Sequence, residues 1–106
     1  MDSSSLSFLE PWRALPPERA EALLREVRIE LSPGHPLYGA DLAAIAVSRI
    51  ADDALFRLDD GRVAKVHLTW SRAAEQKPWP SHRIYASFEE WAQQVMIPDH
   101  EWDMRV

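Results

Sequence analysis

Residues 54–70 read Ala54-Leu55-Phe56-Arg57-Leu58-Asp59-Asp60-Gly61-Arg62-Val63-Ala64-Lys65-Val66-His67-Leu68-Thr69-Trp70, and the register of this stretch decides the fold. Ala54, Phe56 and Leu58 alternate with Leu55 and Arg57, and Ala64, Val66, Leu68 and Trp70 alternate with Val63, Lys65, His67 and Thr69. A period of two is the signature of a half-buried strand. Between the two runs lies Asp59-Asp60-Gly61. A two-residue loop at Asp60-Gly61 would pair Leu58 with Val63 and set Phe56 on the face of Lys65. A three-residue loop pairs Leu58 with Arg62 and Phe56 with Ala64, so the two apolar faces coincide. A slip of one residue would turn every side chain over, so the pattern selects the three-residue loop. That loop is a type I turn closed by a left-handed Gly61, a G1 bulge.

Working outward, Leu42 to Ile50 carries Ile45, Val47 and Ile50 and reads as a strand, with a turn at Asp52-Asp53 before Ala54. This makes a three-stranded antiparallel meander. After the polar loop 71–81, His82 to Ala86 adds a short fourth strand. Ser87-Phe88-Glu89-Glu90 is a capping box, in which Ser87 caps the helix and Glu90 returns a bond to it. The helix that follows sets Phe88, Trp91, Ala92, Val95 and Met96 on one face, and Pro98 ends it. Upstream, Pro16-Pro17 opens a helix, with Glu18 and Glu21 in the first turn where the dipole favours acids. Ala20, Leu23, Leu24, Val27 and Leu31 form its stripe. Residues 27–31 also alternate like a strand, but the stripe supports helix to about residue 30. Ser32-Pro33-Gly34-His35-Pro36 stops it. Phe8, Leu9, Trp12 and Leu15 lie at helical spacing and suggest a helical turn or two around Pro11.

The expected fold is therefore α+β: an N-terminal helix, a three- to four-stranded antiparallel meander, and a C-terminal helix packed on the sheet. Residues 1–106 form a single domain with residues 1–5 frayed. The C-terminal helix would cross the sheet's apolar face, bringing Trp91 and Val95 to Phe56, Val66 and Leu68.

Composition narrows the setting. The chain has 106 residues, is 46% hydrophobic and 27% charged, and carries a net charge of −5, which is the balance of a globular domain. An acidic surplus argues against nucleic acid as a partner, since phosphate backbones need a cationic patch. With no cysteine there are no disulfides, thiol nucleophiles or cysteine-based zinc sites. No apolar run reaches the ~20 residues of a membrane span, and the opening Met1-Asp2-Ser3-Ser4-Ser5 lacks the basic start of a signal peptide. A soluble, cytoplasmic protein is expected. Ten arginines against two lysines, with abundant alanine, suggest a GC-rich bacterial coding sequence.

No motif fixes a reaction. The three glycines, Gly34, Gly39 and Gly61, are too scattered to cradle a phosphate, and no G-x-S-x-G is present. Asp52-Asp53, Asp59-Asp60 and Glu89-Glu90 are accounted for by turns and a helix start. Asp99-His100-Glu101 with Asp103 is the densest set of metal-capable side chains. It lacks the second histidine of a zincin, because Met104 stands there. No cofactor and no metal are expected. His35 reads as a polar turn residue. His67, with Lys65 and Thr69, forms a polar row on the strongest strand that could take an anionic group if that face is open.

Five tryptophans are a surplus for this length. Trp12, Trp70 and Trp91 fall on apolar faces and read as core. Trp79 stands between Pro78 and Pro80, which fix its pose, and reads equally as a lid on the core or as a recognition residue. Trp102, in the acidic tail, reads first as a lid and second as an exposed contact. Two function classes follow. The first is a non-catalytic binding protein, an inhibitor or immunity-type partner of a basic protein, steered by its negative surface. The second is a small-molecule-binding protein or small enzyme using the polar sheet face around His67. The oligomeric state is open.

Overall fold

The Asp59–Gly61 connection has three residues. In the computed structural model, which describes residues 7–70 and 80–105, Leu58 N–H donates to Arg62 O at 2.8 Å and Gly61 N–H to Leu58 O at 3.1 Å. Phe56 lies opposite Ala64, as the coincidence of apolar faces requires. Gly61 sits at φ +91°. A Cβ there would touch nothing within 4 Å, so the cost of a side chain is purely conformational. Gly61→Ala is expected to lower stability by about 1 kcal/mol, seen as a drop in melting temperature. An unchanged melting temperature would contradict the turn.

The sheet has five antiparallel strands in sequence order: β1 (Trp12–Ala14), β2 (Leu42–Ser48), β3 (Asp53–Leu58), β4 (Val63–His67) and β5 (His82–Tyr85). The short fourth strand expected at 82–86 is β5, and the additional strand is β1. Its segment is not helical despite the spacing of Phe8, Leu9, Trp12 and Leu15. Trp12, Arg13 and Ala14 instead pair with Ser48, Val47 and Ala46. Just before them Pro11 O accepts the Arg49 N–H at 2.7 Å. A three-residue edge strand is too short to show a period. Between Ala44 and Ala46 the β2–β3 register shifts, so the consecutive residues Ile45 and Ala46 bury in the same cluster.

Both faces of the sheet are covered, which corrects the expected layering. Helix α1 (Pro17–Glu30) lays Leu23 and Val27, followed by Leu31, on Ala54, Phe56, Leu58, Ala64, Val66 and Leu68. The C-terminal helix takes the opposite face. There Trp91, Ala92 and Met96 pack with Trp12, Ile45, Leu55, Val63 and Tyr85. Trp91 is fully buried, but its neighbours are Leu55 and Val63 rather than Phe56, Val66 and Leu68. The face assigned as polar is apolar at its hairpin end, and that end is what the helix covers.

The C-terminal helix is three consecutive pieces: α2 (Phe88–Trp91), a π-helical turn (Ala92–Met96) and α3 (Ile97–Asp103). Pro98 therefore does not end it. Ile97 N–H bonds to Ala92 O, five residues back. A proline lacks an N–H and its ring crowds the carbonyl four residues earlier, so the wide turn immediately upstream takes up that conflict. At the start, Ser87 Oγ accepts the Glu90 N–H at 3.1 Å. The Glu90 carboxylate accepts from Ala86 N–H at 2.6 Å, one residue before the cap rather than on it. No helix among the described residues is long and apolar enough to cross a membrane.

Candidate functional site

The part of the second sheet face that the C-terminal helix leaves open carries the polar row. Asp53 pairs across the sheet with His67, and Lys65 pairs directly with Arg83. The His67 Nδ1–H donates to Asp53 Oδ1 at 2.8 Å, which leaves Nε2 as the ring's uncommitted nitrogen. The His67 backbone N–H is held by Ser81 O at 2.8 Å. The Arg83 guanidinium lies 5.3 Å from the centre of the Tyr85 ring. Burial raises the Tyr85 phenol above its usual pKa, and Arg83 opposes this. Together Asp53, Lys65, His67, Ser81, Arg83 and Tyr85 line a depression of about 380 Å³.

Thr69 is not part of this row. The strand ends at His67, and the next turn of chain is captured by helix α1. Glu30, fully buried, accepts the Thr69 N–H on Oε1 at 2.9 Å and the Trp70 N–H on Oε2 at 2.8 Å. Trp70 consequently stands at φ +57°, a left-handed conformation uncommon for a bulky residue. It is 44% exposed, not core. Glu26, one helical turn before Glu30 and also buried, shares a side-chain hydrogen bond with it. Burial, and then the neighbouring Glu26 carboxyl, push the Glu30 pKa up to about 6 against the pull of the two backbone donors. Sequence reasoning missed this carboxyl pair, whose signal is two glutamates one turn apart beside Leu23 and Val27.

His35 is a buried joint rather than a polar turn residue. Its Nδ1 accepts the Leu37 N–H at 3.0 Å and its Nε2–H donates to Pro80 O at 3.0 Å. This fastens the loop before β2 to the chain entering β5. The His82 ring lies 4.5 Å from it, and burial, with His35 nearby, lowers the His82 pKa.

The acidic tail is helical and mostly committed. Asp99 Oδ2 accepts the Trp12 Nε1–H at 2.9 Å, and the His100 Nδ1–H donates to Glu10 O at 2.8 Å. Both Asp103 oxygens accept from Arg49 Nη2 at 2.8 Å. Among the described residues no three His, Asp or Glu side chains are grouped to hold a metal ion. Trp102 is not a lid. It is 65% exposed, and the guanidinium of Arg105 lies 5.7 Å from its ring centre. Met104, two residues on, is 62% exposed. Trp79 lies outside the described residues. No family model, curated protein or solved structure matches this chain.

Proposed function

We propose that this is a cytoplasmic, non-catalytic binding protein whose partner is a protein with a basic surface. The observation that carries the reading is the exposed Trp102 on an acidic helical end. Asp99, His100 and Asp103 anchor α3 to the body, so the indole projects from a fixed base. Exposed Met104 extends the apolar contact, and the solvent-facing Glu101 supplies charge beside it. A tryptophan on a rigid base loses little freedom on docking, so its burial appears as affinity. Its ring already holds one arginine, the kind of group a basic partner would present. A net charge of −5 would steer such an encounter.

The test is affinity capture from the source cell with wild type and Trp102→Ala side by side. Truncating a buried interface tryptophan costs ~2–4 kcal/mol, roughly thirty- to a thousandfold in affinity. The expected result is a basic protein captured by the wild type and lost with the variant, at unchanged melting temperature. Equal capture by both would overturn the assignment.

A further inference from the structure

We infer that the depression between Lys65, His67 and Arg83 is a binding site for the phosphoryl group of a small phosphate ester. It is separate from the Trp102 end and rests on different observations.

The first observation is the direct cross-strand pairing of Lys65 with Arg83. Side chains so placed have Cβ atoms ~4.5–5.5 Å apart, and like charges there repel. Arg83 alone has an ordinary explanation, because β5 is an edge strand and cations blunt edge-to-edge pairing. That explanation does not extend to Lys65, since β4 is paired on both sides.

The second is the lack of local compensation. Neither Lys65 nor Arg83 forms a salt bridge among the described residues, in a chain whose acids outnumber its bases by five. Among the described residues Asp53 is the one acid lining the depression, and its carboxylate is engaged by His67. The cavity is thus a positive spot on a negative protein.

The third is the donor inventory. The planar Arg83 fork is steadied against the Tyr85 ring, Lys65 is a point charge, and the Ser81 hydroxyl is close by in the same lining. With its Nδ1–H given to Asp53, a neutral His67 adds no donor there. Three side chains of this kind, with the several N–H groups of the guanidinium and the ammonium, can serve more oxygens than the two of a carboxylate, which selects a tetrahedral oxyanion. At about 380 Å³ the depression is at the small end of ligand sites, sized for a headgroup with the remainder of the ester outside.

The experiment is a chemical-shift titration of backbone amides with inorganic phosphate, glycerol phosphate and acetate at constant ionic strength. The expected result is saturable shifts confined to residues 53, 65, 67 and 81–85 with both phosphates, and far weaker binding of acetate. Lys65→Met and Arg83→Ala should each weaken phosphate binding roughly tenfold, the ~1.4 kcal/mol of one charged contact. Both variants should melt at or above the wild-type temperature, because the cross-strand repulsion is relieved. Shifts that fail to saturate, affinity unchanged in both variants, or acetate binding as tightly as phosphate would overturn the site. So would binding of inorganic phosphate alone. Should one variant fail to fold, the wild-type titration and the other variant still decide.

Discussion

Trp91→Ala is expected to remove about 3–5 kcal/mol of stability, the largest single loss available in the described core. Small domains have only ~5–15 kcal/mol in total, so the variant should be partly unfolded at moderate temperature. Trp91 has no exposed surface, and it meets Trp12 edge-to-face at 4.9 Å with Phe8 and Phe88 around it. Its indole N–H has no hydrogen-bond partner among the described residues. Trp91→Phe should therefore cost only a fraction of the alanine change, since it removes volume but no polar contact. Double-mutant cycles test the layering directly. Trp91 should couple to Leu55 or Val63, which share its cluster, and act additively with Phe56, which faces α1. Coupling to Phe56 alone would mean the helices lie on the same face.

Glu30→Ala is the second large effect, at about 3 kcal/mol. It deletes the acceptor for two backbone donors, and hydrogen bonds to a charged group are worth ~1.5–3 kcal/mol each, offset in part by relief of a buried carboxylate. The loss should appear first as release of Trp70, read by its fluorescence. Glu30 also predicts a pH dependence. Its folded value of about 6 lies above the ordinary 4.5, so the folded chain holds this proton more tightly than the unfolded chain does. That contribution to stability is complete below about pH 4.5 and is lost as pH rises through about 6. Denaturant midpoints across this window should show the decline in wild type. Glu30→Gln should lack it, while being less stable because its amide nitrogen meets a donor. An identical pH profile in the two proteins would show that Glu30 does not titrate there.

The hairpin was legible because its turn and its two faces constrain each other. Only one loop length puts Phe56 over Ala64, and Gly61 supplies the positive φ that this loop needs. Helix α1 was legible from its stripe, and β5 from its short run. What escaped depends on partners distant in sequence. Strand β1 exists because residues 46–48 pair with it. The second layer escaped because Leu55 and Val63 share a face with Lys65 and His67, and averaging that face as polar hid its apolar end. Arg83 joined the row only through the β4–β5 register, which the length of loop 71–81 conceals. Thr69 left it because Glu30 captured its backbone, and a glutamate on an apolar stripe carries no address for its partner.

The π-helical turn at Ala92–Met96 has a consequence of phase. A wide turn is an α-helix with one residue inserted, and each residue of an α-helix advances the side-chain direction by about 100°. Everything downstream is thereby rotated by about that angle relative to an unbroken helix begun at Ser87. In the observed setting Asp99, His100 and Asp103 turn inward to Trp12, Glu10 and Arg49, while Trp102 turns to solvent. The inserted residue acts as a dial on the last turns of the chain: it selects which side chains clasp the body and which one is displayed.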